Sequence, residues 1–355
     1  MKCGIMTFHR AINYGAVLQA YALRNVIESD FKVKCEIIDY RCKSIESMYT
    51  NPFFLKGLKA KIRGLLLLPK RIKFNNFLNK KLLIGKSIQK NDLEKCSQNY
   101  DYIITGSDQV WGKRRLGVDH SYFLDFVKDN NKKISYAASM GGGTIEKEYQ
   151  QQYINLLQSF RHISVREYEV KEMLENMLQK PVEVCLDPTL LLDKEQWRGI
   201  AKGRVPKRKY LLIYTMTESG SLIKHARKVA NQKKLDIYYI SDSFHTYKGI
   251  KNLRAVGPEE WINLFMNASY VVTNSFHGTA FAINFNCDFN SEISKGISNR
   301  GARITDLLKS VGLSNRLINN VEDTQPIDFK RCNSILEKMR NESKAYLEKI
   351  FNEEK

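Results

Sequence analysis

Short apolar runs that end in small or polar residues, each followed by a helical stretch, recur along this sequence. The first is CGIMTF (3–8), followed by the turn HRAINYG and by AVLQAYALRNVIE (16–28). In that stretch Val17, Leu18, Tyr21, Ala22, Leu23 and Val26 cover more than one stripe, the pattern of a well-buried helix. CEIIDY (35–40) reads as a second strand, which makes strand, glycine-containing turn, helix and strand one βαβ unit. The rhythm resumes with YDYIITGSDQVW (100–111), KKISYAASMGGG (132–143), HISVRE (162–167) and VEVCLDPTLLL (182–192), with the helical YEVKEMLENMLQ between the last two. These six strand-like units complete one doubly wound domain by residue 192.

DKEQWRGIAKGRVPKRK (193–209) reads as a polar linker. A second set follows: strand YLLIYTM (210–216), helix SLIKHARKVANQKK (221–234), strand LDIYYIS (235–241), helix PEEWINLFMNA (258–268) and the strand and turn SYVVTNSFHG. Pro258 suits a first helical turn. NSILEKMRNESKAYLEKIF (333–351) is an amphipathic closing helix, with Leu336, Met339, Leu347 and Ile350 on one stripe and Ser334 and Glu337 at capping-box spacing. A length of 355 residues fits two domains. The expectation is α/β, two Rossmann-like domains facing a cleft between their strand ends, where ligands gather. Residues 1–195 form the first, with a basic helical excursion at 47–91, and 196–355 the second, closed by the C-terminal helix. That helix is expected to pack back toward the first domain, because its stripe needs a partner surface.

The net charge of +19, from 57 basic and 38 acidic residues, favours anionic partners. No zinc-finger spacing or RNA-recognition signature accompanies it, so nucleic acid is not expected. Residues 47–91 hold 11 Lys or Arg and no Asp or Glu, with apolar residues between them. They read either as a basic amphipathic surface that rests on anionic lipid or as a solvated helical excursion. The seven cysteines are scattered and form no C-x-x-C pair, the usage of buried free thiols in a reducing compartment. The N-terminus reads as a strand rather than a signal peptide, and the clean apolar run Leu65 to Leu68 is too short to cross a bilayer. A cytoplasmic protein is expected, with peripheral contact at the inner membrane face.

Polar residues gather at the predicted C-terminal strand ends: His9, Asn13 and Gly15; Gly106, Ser107 and Asp108; Ser139; Arg166 and Glu167; Asp187; and Asn274, Ser275, His277 and Gly278. No H-E-x-x-H, P-loop, G-x-S-x-G or G-x-G-x-x-G motif is present, and no metal cluster is visible. His277 reads as a general acid or a phosphate donor beside the N–H groups of Gly278 and Thr279, or as a strand-end cap. Arg166 could clamp a carboxylate or phosphate, or pair with Glu167 or Asp187. Ser107 and Asp108 could bind sugar hydroxyls or close a tight turn. Asn13, Tyr14 and Gly15 could hold a ligand at a helix N-terminus or cap that helix.

In order, GIMTFHRAINYGAVLQAYAL, YDYIITGSDQVW, ISYAAS, SVRE, CLDPTLLL and NSFHGTAFAINF, followed by NRGARITDLLKSVGL, resemble the bacterial polysaccharide pyruvyl transferase family, from about Gly4 to about Arg316. The resemblance implies a GT-B-like transferase, bacterial, in exopolysaccharide biosynthesis. It would move a pyruvyl group from phosphoenolpyruvate to a sugar of a cell-surface polysaccharide or its lipid-linked precursor, forming a cyclic ketal. No cofactor is expected, phosphoenolpyruvate being the co-substrate. His277 and Asp108 are the expected catalytic residues. Arg166, Ser275, Gly278, Thr279 and Arg303 would bind the donor. Asn13, Tyr14, Gly15, Ser107 and Gln109 would bind the acceptor. Relatives with Arg-Leu-His carry a further cation where this chain has Ser275, and Arg300 and Arg303 are candidates to supply it. The competing readings are a nucleotide-sugar-dependent GT-B glycosyltransferase and a non-catalytic glycan-binding assembly protein.

Overall fold

The computed structural model describes residues 1–42, 64–112, 118–141, 144–243, 245–293, 300–318 and 326–352. Residues 47–63 of the basic segment lie outside them. The chain divides into two units. The first comprises Met1–Thr50, Leu78–Leu191 and Lys338–Lys355, the second Asn51–Phe77 and Leu192–Glu337.

In the first unit β1 (Lys2–Met6), α1 (Tyr14–Phe31) and β2 (Lys34–Ile37) form the opening βαβ unit. The helix α2 (Leu68–Lys81), which belongs to the second unit up to Phe77, and the short α3 (Leu93–Ser97) precede β3 (Tyr102–Thr105) and β4 (Lys133–Ser135). The chain continues through α4 (Lys147–Leu157), β5 (Ser164–Val165), α5 (Tyr168–Leu178) and β6 (Glu183–Val184). The sheet order is β2-β1-β3-β4, all parallel, with Cys3 opposite Cys35 on one side and Tyr102 on the other. A parallel bridge from Ala138 to Val165 carries the sheet on to the β5-β6 pair. Both faces are covered, so the strands read as continuous apolar runs rather than alternating ones. The order reverses between β1 and β3, which puts a topological switch point at Met6 and Thr105.

The second unit starts with α6 (Lys194–Arg198), capped reciprocally by Asp193 and Gln196. Its Trp197 is fully buried and packs on Phe281, so the stretch read as linker opens with a core helix. Then come β7 (Tyr210–Tyr214), α7 (Gly220–Lys233), β8 (Asp236–Ile240), β9 (Ile250–Leu253), α8 (Pro258–Met266), β10 (Tyr270–Thr273), α9 (Phe276–Asn284), β11 (Phe289–Ser291) and α10 (Arg300–Ser310). Pro258 opens its helix as expected. The sheet is parallel in the order β11-β10-β7-β8-β9, with its switch point between β7 and β10. Trp261 centres an aromatic cluster with Tyr214, Phe265 and Phe281.

Two boundaries differ from the sequence expectation. The 47–91 excursion is divided: Asn51–Phe77 belongs to the second unit, where Lys70 bonds Asp242 at 2.6 Å and Lys73 bonds Glu260 at 2.7 Å. These two lysines fasten α2 rather than serving a solvated face.

The last helix, α11 (Phe329–Asn352), starts before Ser334, so Ser334 and Glu337 lie inside it and form no cap. Asp328 accepts from the Lys330 N–H at its start instead. From Lys338 on it belongs to the first unit. There the Tyr346 hydroxyl donates to the Ser135 carbonyl (2.8 Å), and Ser343 Oγ accepts from the Leu186 N–H (2.9 Å). Phe351 packs edge-on to Tyr102.

All seven cysteines are free. Among the described residues no helix is long and apolar enough to cross a membrane.

Candidate active site

Most of the expected site residues follow the carboxyl ends of the strands flanking the two switch points, whereas Arg166 follows β5 and Arg303 lies on α10. In the first unit β3 ends in the turn Gly106-Ser107-Asp108. Gly106 has φ +123°, and a Cβ there would fall 2.1 Å from the Tyr136 carbonyl oxygen, so only glycine lets the turn approach β4. Asp108 takes φ +65°, a conformation Asp tolerates, and its Oδ1 accepts the Gln109 N–H at 2.9 Å. Its carbonyl accepts from Val110 and Ser139 N–H groups. The Gln109 side chain rests against Gly141.

Two polar systems hold this turn. On one side the Ser107 N–H donates to Gln19 Oε1 (3.2 Å), Gln19 Nε2 donates to Thr7 Oγ1 (2.9 Å), and Thr7 Oγ1 donates to the Ser107 carbonyl (3.3 Å). On the other, Ser107 Oγ donates to Asp187 Oδ2 (3.3 Å), which also takes a 2.5 Å bond from Arg166 NH1. Thr189 N–H and Oγ1 both donate to Asp187 Oδ1. Ser139 Oγ donates to Glu167 Oε1 at 2.5 Å, and Arg166 Nε lies 3.6 Å from the same oxygen.

Arg166 is therefore buried, its side chain 4% exposed, and is paired with Asp187. Burial disfavours its charge, but Asp187, Glu167 and Asp108 outweigh that and raise its pKa above the ordinary arginine value. Asn13 accepts the Ala16 N–H (3.2 Å) as the N-cap of α1, and Tyr14 and Gly15 are buried in the first turn. Of the expected acceptor residues, Ser107 and Gln109 share the turn with Asp108, whereas Asn13, Tyr14 and Gly15 build the helix start.

In the second unit Thr273 closes β10 opposite Tyr214 of β7, and its Oγ1 donates to the Tyr214 carbonyl (2.6 Å). Asn274 sews together the loops leaving these strands: Oδ1 accepts the Met216 N–H and Nδ2 donates to the Thr217 carbonyl, both at 2.8 Å. Ser275 caps α9. Its Oγ accepts the Gly278 N–H (3.3 Å) and its carbonyl the Thr279 N–H (2.9 Å). Both amides of the expected anion site thus bond the cap. The Thr279 hydroxyl is engaged with Ser291 Oγ at 2.7 Å.

His277 stands in the first turn of α9, 9% exposed, edge-on to Phe276 at 5.2 Å. Arg303 of α10 places its guanidinium 5.8 Å from the same Phe276 ring, so a cation approaches the Ser-Phe-His turn where Ser275 supplies none. Gly278 serves close approach: a Cβ would meet Thr273 Oγ1 at 2.4 Å. Beside the turn, Glu292 follows β11 and accepts from Ser221 Oγ at 2.5 Å. No group of metal-ligating side chains forms among the described residues.

Sequence reasoning missed Thr7, Gln19, Asp39, Thr273 and Glu292. Gln19 had a legible signal, an amide inside the otherwise apolar AVLQAYAL, which burial obliges to find partners.

Two solved structures resemble the chain in fold. One is a Listeria monocytogenes protein assigned as a UDP-N-acetylglucosamine 2-epimerase, at 9% identity and TM-score 0.51, with 97% of each chain covered. The other is the S. aureus MnaA–UDP complex, at 10% identity and TM-score 0.52, covering 98% of this chain and 90% of that one. They show a GT-B-like α/β fold. No curated protein matches the sequence. The sequence model of the polysaccharide pyruvyl transferase family matches residues 13–289, which span both switch-point turns, and the chain belongs to that family.

Proposed function

We propose that the protein transfers a pyruvyl group from phosphoenolpyruvate to two hydroxyls of a sugar in a cell-surface polysaccharide or its lipid-linked precursor. The product is a cyclic ketal. The family match over residues 13–289 carries this reading. The position of His277 at the carboxyl end of β10, with Arg303 near the same turn, supports it.

In this scheme His277 delivers a proton to the methylene carbon of the donor. The C2 centre becomes oxocarbenium-like, and the first sugar hydroxyl adds there and gives up its proton. The second hydroxyl then displaces phosphate and closes the ketal. The two hydroxyl hydrogens are balanced by the new methyl hydrogen and the proton that leaves with phosphate, and no redox cofactor takes part.

Arg303 is the proposed anion contact for the donor. Asp108, with Ser107 and Gln109, is proposed to orient an acceptor hydroxyl and accept its proton. Arg166 acts on the turn through Asp187. An anionic membrane surface carrying the lipid-linked acceptor is the proposed second partner, and the cytoplasmic face the proposed location.

The test is release of inorganic phosphate from phosphoenolpyruvate over a panel of lipid-linked and nitrophenyl sugars, with a thermal-shift comparison against UDP-sugars. Acceptor-dependent phosphate release supports the reading. Stabilisation by a UDP-sugar with no phosphoenolpyruvate turnover would replace it with nucleotide-sugar transfer.

A further inference from the structure

His9 follows β1 and is 2% exposed, an unusual place for a titratable ring. Its Nδ1 lies 3.0 Å from the Thr7 carbonyl oxygen and its Nε2 2.9 Å from Asp39 Oδ1. A carbonyl and an ionised carboxylate only accept, so both ring nitrogens must carry hydrogen for both bonds to form. Asp39 is clamped from its other side by Arg10, whose Nε donates to Oδ1 (2.6 Å) and NH2 to Oδ2 (2.5 Å). Burial opposes charge on Asp39, but His9 and Arg10 outweigh it and hold the carboxyl well below the usual carboxylate range. Tyr40 and Cys42, close by along the chain, turn to Asp119 at 3.2 and 3.3 Å.

Thr7 connects this cluster to the turn of the candidate site. Its carbonyl takes the His9 bond, while its hydroxyl bonds both the Ser107 carbonyl and Gln19, and Gln19 holds the Ser107 N–H. An unbroken path of hydrogen bonds therefore runs from Arg10 and Asp39 through His9 and Thr7 to Ser107.

We propose that His9, held at both ring nitrogens and braced by Asp39 and Arg10, is a positioning residue that sets the Ser107–Asp108 turn. A side chain that cannot make both bonds leaves either the Thr7 carbonyl or Asp39 without its partner. The turn that orients the acceptor hydroxyl then loses its brace on that side. The kinetic consequence rests on the pyruvyl-transfer reading, whereas the structural consequence does not.

The experiment is NMR of the full chain, with the backbone amides of Ser107 and Asp108 followed in the wild type, His9→Gln and Asp39→Asn. Both turn amides are expected to shift in each variant. With phosphoenolpyruvate and a competent acceptor, each variant should lower kcat about 10-fold to 100-fold and leave KM for phosphoenolpyruvate unchanged.

Turn amides that keep their wild-type positions in folded His9→Gln or Asp39→Asn would overturn the proposal. The near-isosteric Asp39→Asn decides this where His9→Gln fails to fold. Absence of turnover with every acceptor would count against the pyruvyl-transfer reading and leave the NMR result to stand.

Discussion

A histidine and a glycine side by side at the end of β10 have separate reasons to be there. Gly278 lets α9 start hard against Thr273, and His277 is carried by that start. Replacing Gly278 by Ala drives a methyl group into Thr273 Oγ1. Overpacking of this kind costs about 1–3 kcal/mol, which urea unfolding followed by circular dichroism would register as a lower midpoint. His277→Gln should instead lower kcat by about 10²–10⁴-fold with little change in unfolding midpoint, if the ring delivers a proton in the transition state. Near-normal turnover in that variant would make the ring structural.

Asp39 gives a pH signature of stability. Its folded-state carboxyl titrates below the unfolded value of about 3.9, so its contribution is present at neutral pH and is lost as pH falls through about 4 and below. Unfolding free energy measured from about pH 6 downward should therefore decline more steeply in the wild type than in Asp39→Asn. At this scale the sequence showed where side chains collect, because strand ends are marked by Gly, Ser, Asp and His. It did not show which were engaged. Arg166 is locked to Asp187 by a partner 21 residues away, and the amides of Gly278 and Thr279 by a serine three and four residues back.

At the scale of elements, strands were legible where burial on both faces made them apolar. All six strand-like runs expected before residue 192 contain a strand. β9, sequence IKNL, and β11, sequence FNS, were not expected. β9 lies at a sheet edge and keeps polar residues, and β11 carries a buried Asn290. Only tertiary partners make that asparagine tolerable: Oδ1 accepts from the Tyr270 hydroxyl at 2.5 Å and lies 2.9 Å from His225 Nε2. The amphipathic stripe of α11 was legible, but its start was not, because a capping-box spacing also occurs by chance inside helices. The part of α11 from Lys338 on contributes core to the first unit, and Leu347 is fully buried. Leu347→Ala should therefore cost about 2–5 kcal/mol. Urea unfolding read through the buried aromatics of the first unit would show it, and an unchanged midpoint would contradict this packing.

For the whole molecule, the excess of positive charge remains after the internal pairs are set aside. Lys70 and Lys73 are committed to Asp242 and Glu260, so the proposed lipid contact falls to other cations of the 47–91 segment, among them the exposed Lys80, Lys86 and Lys90. Each cation near an acidic surface contributes about 1 kcal/mol, screened by salt. Sedimentation with vesicles is expected to rise with anionic lipid content and to fall with added salt. Equal binding to neutral and acidic vesicles would remove the membrane from the scheme.

The order in which the ribosome delivers the chain gives α11 one more consequence. The tyrosine and phenylalanine that cap the first sheet, Tyr346 and Phe351, are synthesised after every strand of the second unit. A nascent first unit therefore carries an unclosed apolar face through the whole translation of the second. Its maturation waits on residues more than 150 positions downstream of Leu191, and that interval is when chaperones have most to offer this protein.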